Sequence, residues 1–387
     1  MRVARPCRHG GPKGLAVGLD ARTLASEVHS GVEEYVINLV SALSRLTEAP
    51  EIIAYVDRPI PDPETAEAAS SGPLRTSIVR ARRGWLRAAL PWRLWRDRVN
   101  LVHLPSTILP PLLPCPAVVT VHDLAWVRYP ETYEPKDLVM QRRAVAGAAA
   151  RAGHIIAVSD ATARDLRQHY PRSGDRVSVI PLGVSPRFSP DGPRLSTAAF
   201  PGAERLTRGY VLYAGGLQPR KNVLRLLVAY EKVLAETSAP PLVLAGAVSS
   251  HAHELRQASQ RLGIERHVVF PGYVAQELLP ALYRSATVFV YPSLYEGFGL
   301  PVLEAMACGV PVVTSNVSAL PEVAGEAALL VDPESVERLS WAVSLLLADQ
   351  ALRQTLGQRG LARARQFTWE QTARQTVGVY QRFAAEE

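Results

Sequence analysis

The sequence predicts an α/β protein built from two doubly wound parallel-sheet domains, and three observations carry the prediction. Its 387 residues exceed one ordinary hydrophobic core, so two domains are expected. Two separate stretches, one opening at Leu15 and one at Tyr210, read as strand, glycine turn and helix, which is how a doubly wound domain begins. The apolar run Ala286–Tyr291 reads as a buried strand that feeds a glycine-containing loop and then a helix, the unit from which such sheets are wound. A hydrophobic content of 47% with 20% charged residues is ordinary for a globular chain, and the 31 prolines are too dispersed to form a low-complexity tract.

Taken in order, residues 1–14 are basic and rich in Gly and Pro; the apolar run that follows is short and meets Asp20, so the stretch reads as a frayed extension and not a signal peptide. Leu15–Asp20 is the first strand, and Ser30–Leu43 is a loop entering an amphipathic helix through Gly31. Glu51–Val56 and Leu74–Val79 are strands separated by a Pro/Ala/Ser-rich loop over 59–73. Residues 80–98 hold seven arginines against one acid and three tryptophans, Trp85, Trp92 and Trp95. Two readings stand side by side: a helix resting on an anionic membrane, or a helix with its tryptophans in the core and its arginines in water. Leu101–Leu104 and Ala117–Val121 are strands, the second running into His122 and Asp123, where a parallel sheet presents ligand-contacting groups. A helix over 136–152, the strand His154–Ser159, a helix capped by Asp160 and the strand Arg176–Val184 complete a domain over 15–195.

The second domain, over 205–366, opens with Tyr210–Ala214, the turn at Gly215 and Gly216, and then Arg220 and Lys221 before a helix. Two cations at a helix start oppose its dipole unless an anion compensates, and they suit the negative charge of a diphosphate. Pro241–Gly246 and His267–Val274 follow as strands. Beyond Tyr291 the loop carries Glu296, Gly297, Phe298 and Gly299, and Pro301 suits the first turn of a helix that holds Glu304 and closes at Gly309. Seven residues separate the two glutamates, so both can face one crevice at the sheet rim. The glycines let the backbone approach a ligand, and the N–H groups from Phe298 to Val302 form an anion site at a helix N-terminus. Helix Ser335–Ala348 packs this domain, and residues 367–387 form a final helix.

The string from Val290-Tyr-Pro-Ser through Glu296 and Glu304 to Ala305-Met-Ala-Cys-Gly-Val-Pro-Val-Val and Leu320-Pro-Glu resembles the E-x7-E signature of the family-4 retaining glycosyltransferases of the GT-B fold. The resemblance spans residues 15–385 and implies two Rossmann-like domains facing a cleft, an acceptor-side first domain, a nucleotide-sugar-binding second domain, and a C-terminal helix crossing back to the first. It implies a nucleoside-diphosphate sugar as donor and a saccharide or lipid-linked acceptor. His122-Asp123 and Tyr129-Pro130 look like a segment of mannosyl- and rhamnosyltransferases in bacterial polysaccharide assembly, in which the histidine hydrogen-bonds the transferred sugar. By the same resemblance Gly31 approaches the donor phosphates or the acceptor, though Ser30 stands where a second glycine is common. Lys221 carries over as the diphosphate cation. Gly216 occupies the usual arginine position, with Arg220 as a substitute. Val274 would hold the base through its backbone, Glu304 the ribose, and Glu296 the sugar hydroxyls, with amides from Phe298 to Leu300 on the diphosphate.

No Asp-x-Asp occurs, so metal-independent chemistry and no further cofactor are expected. Cys7, Cys115 and Cys308 are odd in number and share no ligand-like spacing, which suits a reduced cytoplasmic compartment, at the inner face of the membrane if the basic stretch docks there. A net charge of +7 permits anionic partners, yet no nucleic-acid-binding motif accompanies it. The competing activities are a sugar-nucleotide epimerase or hydrolase and a catalytically silent sugar-nucleotide-binding or membrane-surface protein. A dinucleotide dehydrogenase lacks its G-x-G-x-x-G after a strand.

Overall fold

The structure is a computed structural model that describes residues 14–26, 31–81, 84–247 and 250–385. The N-terminal extension as far as residue 13, Ser30, and Arg82 and Arg83 of the basic stretch lie outside the described residues.

Contacts divide the chain into two compact units. The first runs to Leu124, resumes over Glu134–Gly183 and takes the chain again from Trp369; the second comprises Ala125–Tyr133 and Val184–Thr368. The two units therefore part at Gly183, ahead of residue 195, where the sequence reading ends the first domain.

In the first unit seven strands, β1 (Ala16–Asp20), β2 (Glu51–Val56), β3 (Leu74–Ile78), β4 (Leu101–Leu104), β5 (Ala117–Val121), β6 (His154–Ala157) and β7 (Val177–Val179), form one sheet in the order β3-β2-β1-β4-β5-β6-β7. The second unit has six, β8 (Val211–Ala214), β9 (Leu242–Ala245), β10 (Val268–Gly272), β11 (Val288–Tyr291), β12 (Val312–Ser315) and β13 (Ala328–Val331), in the order β10-β9-β8-β11-β12-β13. Every pairing is parallel. β4, β5, β8, β9, β11 and β12 are buried along their whole length, as strands covered by helices on both faces must be, which is why their sequences are mostly apolar, with only His103, Thr120, Thr314 and Ser315 as clearly polar members. The order reverses between β1 and β4 in one sheet and between β8 and β11 in the other. Crevices for ligands form outside the carboxyl ends of strands at such reversals.

The helix Gly31–Leu43 buries Tyr35, Val36, Leu39, Val40 and Leu43 on one face and packs against the last helix, Trp369–Ala385. There the Tyr35 and Trp369 rings lie 5.9 Å apart. Tyr380 of the last helix reaches into the sheet, its hydroxyl 2.6 Å from His103 Nδ1, while His103 Nε2 lies 2.8 Å from Thr120 Oγ1 and that hydroxyl 3.2 Å from Tyr35 Oη.

Two stretches differ from the sequence expectation. The Pro/Ala/Ser-rich loop over 59–73 contains a short helix, Pro63–Ala68, because Asp62 caps it by accepting from the Thr65 N–H and Pro63 occupies its first turn. The Arg/Trp stretch is one widened π-helical turn, Trp85–Ala89, followed by the α-helix Leu90–Asp97. Pro91 lacks an N–H, and the widened turn stands where its missing hydrogen bond would have fallen. Trp85 is buried, but Trp92 and Trp95 are 54% and 61% exposed, so the reading that put all three tryptophans in the core holds for one of them.

Candidate active site

At the reversal of the second sheet, the carboxyl ends of β8 and β11 bring two loops together. β8 ends in Gly215 and Gly216. Gly215 makes the turn at φ 152°, and a Cβ there would stand 3.3 Å from the Tyr213 hydroxyl and the Tyr291 ring. Gly216 has no positive φ, although a Cβ there would stand 3.0 Å from Gln218 Oε1; its carbonyl accepts from Tyr213 Oη at 2.5 Å. The chain then passes through Arg220 and Lys221 to Asn222, whose φ of 62° starts the helix Val223–Glu236 and whose Nδ2 donates to the carbonyls of Pro292 and Pro333. Asn222 thus ties the cationic turn to the loop beyond β11.

That loop holds Glu296. Lys221 Nζ donates to Glu296 Oε1 at 2.5 Å and to Tyr291 Oη at 3.0 Å, and Arg220 Nη1 lies 3.8 Å from Glu296 Oε2 and donates to the Tyr295 carbonyl. Lys221 and Glu296 are 7% and 8% exposed. Burial opposes ionisation of Glu296, but the Lys221 and Arg220 charges outweigh it and hold the carboxyl below its ordinary range. The anion that compensates two cations at a helix start is therefore Glu296 itself. Its backbone is fixed from behind: Ser318, held at φ 57°, accepts from the Glu296 N–H at 3.0 Å. Tyr291 is flanked by Tyr213 and Phe289, both stacked on it within 6 Å.

Of the two glycines after Glu296, Gly299 is the one that takes a positive φ. It sits at φ 115°, and a Cβ would come 2.8 Å from Leu320 Cδ2. It leads into the helix Leu300–Ala307 with Pro301 in the first turn. The N–H groups of Phe298, Gly299 and Leu300 find no acceptor among the described residues. Val302 was expected to join them, but its N–H is taken by the Gly299 carbonyl at 3.0 Å. Three amides at a helix start, beside a lysine and an arginine, present positive potential to an anion. Glu304, half-buried one turn further on, accepts from Tyr283 Oη at 2.9 Å. Beyond β10, Val274 buries its side chain at 7% exposure while its backbone N–H and C=O bond to none of the described residues.

Gly31 and His122 belong to the first unit. Space is open around Gly31 where a side chain would stand. His122 follows β5; its Nε2 lies 2.8 Å from the Pro105 carbonyl, which only accepts, so the proton is on Nε2 and Nδ1 is the acceptor. Burial pushes its pKa down against the opposing pull of Pro105 and Asp123, keeping the ring neutral at pH 7. Tyr35 meets it edge-on at 5.0 Å between ring centres.

Sequence reasoning passed over Ser318, Tyr283 and Tyr291. All three act through partners 21 to 70 residues away, which no local pattern announces. Among the described residues no group of His, Cys, Asp or Glu is placed to hold a metal, and no helix is long and apolar enough to cross a membrane.

Two reversed parallel sheets with a lysine–glutamate constellation at one reversal define a GT-B sugar-transferring enzyme, and the comparisons with known proteins agree. Residues 29–188 match the family described as Glycosyltransferase Family 4 and residues 197–363 that described as Glycosyl transferases group 1. The chain is 35% identical to the O-antigen chain mannosyltransferase B of Escherichia coli over 367 residues, 91% of this chain and 96% of that protein. Among solved structures, a sucrose-phosphate synthase from Thermosynechococcus elongatus covers 97% of this chain and 100% of its own at 24% identity and a TM-score of 0.75. Anabaena HepE, solved with UDP and glucose, covers 94% and 98% at 19% identity and 0.70. The protein belongs to the family-4, group 1 glycosyltransferases.

Proposed function

We propose that this glycosyltransferase moves a mannose- or rhamnose-like sugar from a nucleoside-diphosphate sugar to a saccharide or lipid-linked acceptor in bacterial polysaccharide or glycolipid assembly, retaining the anomeric configuration and needing no metal. One observation carries the reading: Lys221, Arg220, Glu296 and three open amides converge at the sheet reversal. Breaking the anomeric C–O bond develops negative charge on the diphosphate and positive charge on the sugar ring. Lys221, Arg220 and the amides of Phe298, Gly299 and Leu300 stabilise the first, in the place a divalent ion takes elsewhere. Glu296 binds the sugar hydroxyls and faces the developing ring charge. Glu304 binds the ribose and the Val274 backbone the base. His122 Nδ1 accepts from a sugar hydroxyl, and Gly31, with open space where a side chain would stand, lets the helix start approach the donor phosphates or the acceptor. The mannose preference is supported by the E. coli relative's name.

The test is turnover of a panel of nucleoside-diphosphate sugars with mannosyl and rhamnosyl acceptors, with and without EDTA, and NMR of the product. An α-linked product from an α-linked donor, formed equally in EDTA, is the expected result. An inverted linkage, or activity lost to EDTA and restored by Mg²⁺, would overturn the corresponding part.

A membrane-surface role is the second element of the reading, placing the enzyme on the cytoplasmic face. The outward face of the helix Leu90–Asp97 carries Trp92 and Trp95, with the Arg96 guanidinium 5.4 Å over the Trp92 ring. Exposed indoles among arginines are the chemistry of an anchor on anionic lipid.

A further inference from the structure

The first sheet reverses between β1 and β4, and the carboxyl end of β1 carries a group that none of the roles above uses. Asp20, the last residue of β1, is 6% exposed, and its carboxylate is clamped by Arg22: Nε donates to Oδ1 at 2.9 Å and Nη2 to Oδ2 at 2.8 Å. The guanidinium lies 4.2 Å over the ring of Trp85, whose Nε1 is in turn held by the Val79 carbonyl at 3.0 Å. Arg22 keeps 31% of its side chain exposed. Two of its five N–H groups are taken by Asp20, and the others find no acceptor among the described residues. On the same sheet edge, the loop after the neighbouring β4 begins at Pro105, whose carbonyl anchors His122.

A long, flexible arginine on a surface would gain little from a single ion pair. Here burial of the carboxylate and stacking on an indole fix the guanidinium before any ligand arrives, which lowers the entropy cost of using its remaining donors. The pair is neutral as a whole, so it does not select an anion. With the carboxylate buried beneath it, the guanidinium offers its remaining fixed donors, which match the oxygens of a sugar's adjacent hydroxyls.

We propose that Asp20 and Arg22, supported by Trp85, form a hydroxyl-binding subsite for the acceptor saccharide. The inference rests on the sugar-transfer reading given above and adds the residues that would recognise the acceptor.

The experiment compares wild type with Arg22→Gln and Arg22→Lys. It uses saturation transfer difference NMR with octyl glycosides of mannose, rhamnose, glucose and galactose, and thermal unfolding with and without GDP, UDP, ADP and dTDP. At least one glycoside should bind wild type, with affinity weakened about tenfold or more in Arg22→Gln and partly recovered in Arg22→Lys, on the scale of losing one charge-assisted hydrogen bond. The stabilisation by a nucleoside diphosphate should persist in both variants. Equal glycoside affinity in Arg22→Gln, or a lower melting temperature as its sole consequence, would overturn the subsite and leave the pair a structural clamp. Wild type binding none of the glycosides would also overturn it. In that case a surviving diphosphate shift would show the donor reading intact, and its loss would show that the sugar-transfer reading had failed as well.

Discussion

Glu296 and Lys221 are each other's partner at 2.5 Å, so removing either leaves a buried charge that the other had compensated. Glu296→Gln keeps the shape of the side chain and removes its charge; Lys221→Ala removes the cation from the diphosphate. Each should lower kcat by about 100-fold or more in a steady-state assay, the scale of one transition-state electrostatic contact. Near-wild-type turnover in a folded variant would take that residue out of the chemistry. Gly299→Ala tests the turn on which the amides depend. A side chain at φ 115° facing Leu320 should cost about 1–3 kcal/mol of stability, read as a lower urea midpoint, and should weaken diphosphate binding through displaced amides. The positions of Glu296, Gly299 and Glu304 were legible in the sequence because strand, loop and helix follow one another within twenty residues. The buttress from Ser318 was not legible, since a serine at positive φ carries no sequence signature. The fourth open donor expected at Val302, Pro301 having no N–H, was misplaced because the first helical turn closes on Gly299 earlier than the pattern suggests.

At the scale of elements, the alternation of apolar runs with glycine and proline punctuation placed the strands, since parallel strands buried on both faces leave little else to choose. The helix Pro63–Ala68 was hidden by the Pro/Ala/Ser composition around it, although its Asp62-Pro63-Glu64 start is a recognisable cap in hindsight. The Arg/Trp stretch shows the opposite limit. Its composition fitted two environments equally, and only the rotation of the helix, set by Leu90 and Leu94 packing inward, sends Trp92 and Trp95 out. If that face docks on lipid, the protein should cosediment with vesicles rich in phosphatidylglycerol. Replacing both Trp92 and Trp95 by Ala should then reduce the bound fraction several-fold without lowering the melting temperature, because exposed side chains contribute little to folding. Equal cosedimentation of the double variant would assign the indoles another partner.

At the scale of the molecule, two strand–glycine–helix openings foretold two units. The exchange of Ala125–Tyr133 into the second unit and the parting at Gly183 arise from contacts that no linker composition reveals. The final helix is joined to the first sheet through Tyr380 and His103. Burial, with the neighbouring His122, pushes the His103 pKa down to about 3, whereas the same imidazole in the unfolded chain titrates near its ordinary 6.5. Below 6.5 the unfolded chain therefore takes up a proton that the folded one refuses. The contribution of His103 is complete above that pH and is lost as pH falls toward 3, by about 1.4 kcal/mol per pH unit. Denaturant midpoints between pH 7 and 5 should show this slope, and His103→Gln should flatten it. An equal slope in that variant would assign the acid sensitivity to other groups.

The central claim is that the reversal between β8 and β11 holds a nucleoside diphosphate. Thermal unfolding of wild type and Lys221→Ala against GDP, UDP, ADP and dTDP tests it most directly. A ligand at about 100 times its Kd adds about 2.7 kcal/mol to native stability, so one diphosphate should raise the wild-type melting temperature clearly and the variant's far less. No shift with any of the four, or the same shift in Lys221→Ala, would contradict the account.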